Sequence, residues 1–181
     1  MLRAVIQAGE SFESPRTGTR IEVRESNSQR VVFDRLYKPN TGQVDPHVHY
    51  DLTQSWEVLS GEAQAVVDGE TRHLKAGDSL QIAKGVPHRD IHNVSGSDLT
   101  VRWTVAPVND FVEAFADSYT YLLRQGELND QEEFTPLQLF PILYATKAQS
   151  WLTRIPIPLQ KVIIPVGAWL GRLRGYRPRY E

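Results

Sequence analysis

The chain has 181 residues, 40% hydrophobic and 23% charged, enough for one globular domain with a buried core and an appendage. A formal net charge of -2 gives no overall pull toward nucleic acid or an anionic membrane, and the absence of cysteine removes disulfides, thiolate metal ligands and cysteine nucleophiles together. Gln7 and Glu10 interrupt any apolar run of signal-peptide length near the N-terminus, so a cytoplasmic location is expected.

In chain order, residues 20–106 fall into short alternating or β-branched runs closed by turn residues: RIEVRES, RVVFDRLY, SWEVLSG, EAQAVVDGETRHL, DSLQIAKG and LTVRWTVAP. Many short strands at close spacing predict a barrel or sandwich. Asp68-Gly69 predicts a two-residue hairpin, because both residues tolerate the positive φ that such a turn needs. After Pro107 the apolar residues Phe111, Ala114, Phe115, Tyr119 and Leu122 recur at three- and four-residue steps, which predicts a helix capped by Asn109 or Asp110. A second helix is predicted over PLQLFPILYATKAQSWL with an interruption at Pro141, and beyond Arg154 the proline density argues against long regular structure. The reading is an all-β barrel over residues 1–107 followed by a helical C-terminal extension over 108–181, packed on the barrel or on a partner.

The chemistry concentrates in HVHYDLTQSWEVLSGE. Side chains alternate faces along a strand, so His47 and His49 point the same way and can grip one ion. Two such histidines also serve as ordinary polar lining. A third, His88, follows the turn-forming Gly85 and Pro87, and three histidines on two strands fit a first-row metal.

Two motifs then resemble the cupin superfamily. The first reads Gly42, four residues, His47-Val48-His49, four residues, Gln54, six residues, Gly61. It is one residue short in its first spacer and has glutamine where the family usually has glutamate. The second reads Gly77, five residues, Ala83-Lys84-Gly85, two residues, His88, three residues, His92, with alanine for the family's proline and histidine for its asparagine. The resemblance implies a double-stranded β-helix, or jelly roll, with a divalent transition metal (Zn, Fe, Ni, Mn or Cu) held by His47, His49, Gln54 and His88. Glu57 is the rival fourth ligand. In a regular strand residues 54 and 57 face opposite sides, and a bulge would reverse the preference. A glutamine ligand brings no charge, which predicts weaker metal binding, stronger polarisation of a bound oxygen and an anionic substrate.

Parity on a regular strand puts Asp90 and His92 on the face of His88, making both pocket candidates, with His92 suited to proton transfer near neutral pH. Arg102 is the candidate anchor for a substrate carboxylate, against the commoner outward, solvated arginine. Trp56 and Trp103 read as barrel packing and His73 as an exposed hairpin residue. From Trp151 to Tyr180 the extension mixes Trp151, Leu152, Ile163, Ile164, Trp169 and Leu170 with Arg154, Lys161, Arg172, Arg174, Arg177 and Arg179. That composition admits contact with a membrane surface or a phosphate-bearing partner, although packing against its own barrel is the simpler expectation. No basic recognition helix is evident, so no nucleic-acid partner is expected; a homodimer is, with Arg3–Gly9 available to add a strand. The functional expectation is a metal-dependent enzyme acting on a small polar or carboxylated molecule, as a Lewis-acid isomerase, cyclase or lyase or as a dioxygenase. The alternative is a metabolite- or sugar-binding sensor whose tail engages a partner.

Overall fold

A computed structural model of the chain describes residues 6–42 and 45–180. The possible strand-adding segment Arg3–Gly9 therefore lies partly outside the described residues. Eleven strands and three helices appear in the order β1 (Ser11–Glu13), β2 (Arg20–Ser26), β3 (Val31–Tyr37), β4 (His47–His49), β5 (Thr53–Ser60), β6 (Glu62–Val67), β7 (Glu70–Lys75), β8 (Ser79–Ile82), β9 (His88–His92), β10 (Leu99–Ala106), α1 (Asp110–Gln125), α2 (Pro136–Ala145), β11 (Ser150–Leu152) and α3 (Ile157–Leu173). The strands make two antiparallel sheets, β1-β2-β3-β10-β5-β8 and β11-β4-β9-β6-β7. The fold is mostly β without being strictly all-β, since three helices follow the barrel and the chain after α2 returns a strand to one of its sheets.

Alternation along the strands fills the barrel. On β10, Leu99, Val101 and Val105 point inward with Trp103, and on β5 Trp56 and Val58 do the same. Trp56, Ile82, Ile91 and Leu99 are all at most 2% exposed, and each contributes about 1.5–3 kcal/mol by leaving water. This hydrocarbon packs one end of the barrel. At the other end Phe12, Val23, Phe33, Leu52 and Val105 share a core with Phe111, Leu122 and Leu123 of α1, Ile142 and Leu143 of α2, and Ile164 of α3. The β6–β7 hairpin turns at Asp68 and Gly69, at φ +52° and +78°.

Local chemistry sets the helix ends. Asn109 caps α1 by accepting the Val112 N–H, and Gly126 ends it in the left-handed conformation. The second predicted helix is shorter than expected: α2 stops at Ala145, and Ser150–Leu152 is strand. The expectation of irregular chain beyond Arg154 fails, because α3 runs for 17 residues. Pro156 is its N-cap and Pro158 lies in its first turn, where no helical N–H is required. Pro165 is in the interior but on the exposed side, as is Lys161 one turn earlier, so the carbonyl it leaves without a partner faces water.

Candidate metal and substrate site

The short strand β4 lies between β11 and β9, with Ser150 opposite His49, Leu152 opposite His47, and His47 opposite His88. His47, His49 and His88 are buried, and their ligand nitrogens lie within 4.8 Å of one another. The Nδ1 atoms of His47 and His88 sit 2.8 Å and 2.9 Å from the carbonyls of Asp45 and Val86. A carbonyl only accepts, so each Nδ1 carries the proton and each Nε2 keeps a lone pair directed inward. His49 Nδ1 is buried with no hydrogen-bond partner. Burial, assisted by the other imidazoles, lowers His47 and pushes His49 well below the ordinary histidine range, although Asp90 opposes this at His47. Neutral imidazoles with an orphaned nitrogen among them suit a transition metal ion, which binds the unprotonated ring.

Gln54 stands at this cluster, but its oxygen does not face it. The Trp103 indole N–H donates to Gln54 Oε1 at 2.8 Å, and Gln54 Nε2 lies 3.0 Å from His88 Nε2. An indole nitrogen can only donate, which fixes the orientation of the carboxamide. Gln54 thus presents a donor to His88, in place of the expected ligand oxygen. The carboxylate oxygen beside the histidines belongs to Asp90, whose Oδ1 is buried, without a hydrogen-bond partner, and 3.6 Å from His88 Nε2.

The other predicted residues separate. On β9, Gln64 pairs with His92 and Val66 with Arg89, so two residues of β6 face three of β9. This bulge breaks the alternation: Asp90 lines the cavity, Ile91 is fully buried in the barrel core, and His92 is outside the cavity lining. Arg102 is outside it too. With Val101 and Trp103 inward, Arg102 points out and donates to Asp34 through Nε (2.8 Å) and Nη2 (3.0 Å), where Arg24 joins it. Glu57 is exposed on the outer face of β5, opposite the inward Trp56, and His73 is exposed on β7.

Beyond the histidines lies a cavity of about 210 Å³. The barrel supplies Phe33, Leu52, Gln54, Asp90 and Trp103, while Phe111, Phe115, Asn129, Glu133, Phe134 and Leu143 from the segment after residue 107 close it. The rings of Phe111 and His49 are 5.3 Å apart. Glu133 is buried, and its Oε1 accepts from Arg35 Nη2 at 3.3 Å; the same guanidinium donates to the Tyr119 hydroxyl at 2.5 Å and lies over the Tyr37 ring. Burial raises the Glu133 carboxyl to about 7, against the pull of Arg35 and with the repulsion of Asp90 and Glu132. Burial also opposes the charge of Arg35, but Tyr119, Tyr37, Glu133 and Asp90 together hold it protonated.

Sequence reasoning missed two functional side chains. Trp103 was legible by its parity with Val101 and Val105. Glu133 was not, because it sits in the irregular link between α1 and α2 where no period applies.

The family profile of the cupin domain matches residues 34–105. Among solved structures, the chain is 29% identical to a double-stranded β-helix protein from Klebsiella pneumoniae, over 54% of this chain and 85% of that one, with a TM-score of 0.46. It is 17% identical to KdgF from Halomonas, over 61% and 97%, with a TM-score of 0.49. A cupin-superfamily sugar phosphate isomerase from Silicibacter pomeroyi is 16% identical over 55% and 71%, with a TM-score of 0.48. No curated protein matches the chain.

Proposed function

With residues 34–105 a cupin domain, the chain belongs to the cupin superfamily, and we propose that it is a metal-dependent enzyme moving a proton on a small, uncharged, oxygen-bearing molecule. The observation that carries this reading is one closed cavity lined by His47, His49, Asp90 and the buried Glu133. His47, His49 and His88 would hold the ion, with Asp90 offsetting part of its charge. A bound divalent ion supplies Lewis acidity toward a substrate carbonyl or hydroxyl.

The remaining steps belong to the protein. The Phe33, Leu52, Phe111, Phe115 and Phe134 side chains exclude water and orient an apolar skeleton. No lysine or arginine lines the cavity among the described residues, while Asp45, Asp90 and Glu133 do, so the pocket opposes a carboxylated substrate. This replaces the anionic substrate inferred from a neutral ligand set. The volume is below the roughly 300–1,000 Å³ of drug-sized sites, which selects a small molecule. Glu133, balanced between its protonated and ionised forms near neutral pH, accepts or returns the proton, with Arg35 fixing its carboxyl. The chemistry is therefore isomerisation or elimination.

Protein purified without added metal should retain close to one ion per chain by elemental analysis, and His47→Ala should lose it. Metal-loaded protein incubated in D2O with a panel of small neutral hydroxyketones should catalyse carbon-bound deuterium incorporation visible by NMR, and Glu133→Gln should abolish it while retaining metal. Retention of metal without exchange on any member of the panel would favour a binding role.

A further inference from the structure

The exposed apolar face of α3 belongs to no part of the site. Gln160, Ile164, Gly167, Ala168 and Gly171 form its buried stripe, against α2. At about 100° per residue the opposite side carries Val162, Val166, Trp169 and Leu173. These four are 63%, 54%, 61% and 67% exposed, a continuous apolar ridge directed away from the protein. Scattered exposed hydrophobics are ordinary, but a ridge more than three turns long with a tryptophan at its centre marks a contact surface.

The charge around the ridge says what covers it. Residues 134–180 contain seven lysines and arginines and no aspartate or glutamate, in a chain whose net charge is -2. Lys161 and Arg172 flank the ridge on one side, with Arg174 at its end, and among the described residues none of the three is ion-paired. A second copy packed ridge to ridge would set these cations against their own equivalents, with no acid on the segment to answer them. An anionic lipid surface answers both features, taking the tryptophan and aliphatics at the headgroup boundary and the cations at the phosphates. No helix is long and apolar enough to cross a membrane, so the helix would lie in the interface plane.

We propose that the α3 ridge, Val162, Val166, Trp169 and Leu173 with Lys161, Arg172 and Arg174, docks the protein on an anionic membrane surface. This does not depend on the proposed reaction. The test is co-sedimentation of the full chain with vesicles of phosphatidylcholine with and without phosphatidylglycerol, at low and raised salt. Binding is expected only with phosphatidylglycerol, weakening with salt. Trp169→Glu and the pair Lys161→Glu, Arg172→Glu should each reduce it at least tenfold, while circular dichroism and metal content stay unchanged because the substituted side chains point to solvent. Equal binding of wild type and variants, or no binding to either vesicle, would overturn the proposal. A wild-type dimer in sedimentation velocity that Trp169→Glu splits, without vesicle binding, would overturn it in favour of a second copy.

Discussion

Trp103, Gln54 and His88 form a fixed relay: the indole hydrogen holds the carboxamide oxygen, and the carboxamide nitrogen faces the imidazole. Gln54→Leu should leave the indole N–H partly buried without an acceptor and cost about 1–3 kcal/mol, read as a drop in melting temperature. Trp103→Phe should free the carboxamide to turn its oxygen inward, so that a Co²⁺ titration shows tighter binding together with a less stable fold. Asp90→Asn should weaken metal affinity roughly 10–100-fold, the usual effect of losing a carboxylate beside the ligands. Glu133 gives a pH test. Its carboxyl is raised from 4.5 to about 7, so between those values the folded chain holds a proton that the unfolded chain releases, and stability falls as pH rises through the window. At about 1.4 kcal/mol per pH unit, wild type should lose on the order of 3 kcal/mol across it relative to Glu133→Gln. Arg35, Tyr37, Tyr119, Asp90 and Glu132 all face this carboxyl, so the comparison of the two denaturation series isolates Glu133. The histidines and Gln54 were legible because their intervals are local properties of strands. What Gln54 does was not, since its partner Trp103 lies 49 positions away.

At the scale of elements, the strands were readable wherever alternation met a turn residue, as at Asp68-Gly69, because both are short-range constraints. The bulge in β9 was not. It is defined by two residues of β6 facing three, a relation between strands that β9 alone cannot encode, and it is why His92 parts from His88. Helix α3 was missed because a proline count ignores position, and two of its prolines occupy the cap and first turn. Its packing on α2 is close enough for a sharp test. A Cβ on Gly171 would lie 2.3 Å from the Leu137 carbonyl oxygen, a backbone atom with little room to yield. Gly171→Ala should destabilise by about 1–3 kcal/mol in urea titrations, whereas Gly96→Ala, which meets nothing within 4 Å, should be near neutral.

Taken whole, the molecule assembles its cavity from both sides of residue 107. The barrel contributes the histidines; the later chain contributes Phe111, Phe134, Glu133 and the strand that borders β4. A chain ending at Pro107 should still show β-rich circular dichroism yet retain little metal, since β4 would keep only its single pairing with β9. The dependence has a consequence for how such a protein varies. A three-residue ribbon steadied by another three-residue ribbon from a hundred positions later cannot be shuffled as an independent cassette. Recombination that exchanged the front part for a related one would have to preserve the seam along Ser150–Leu152, and an insertion between α2 and that seam would shift it and displace both histidines together.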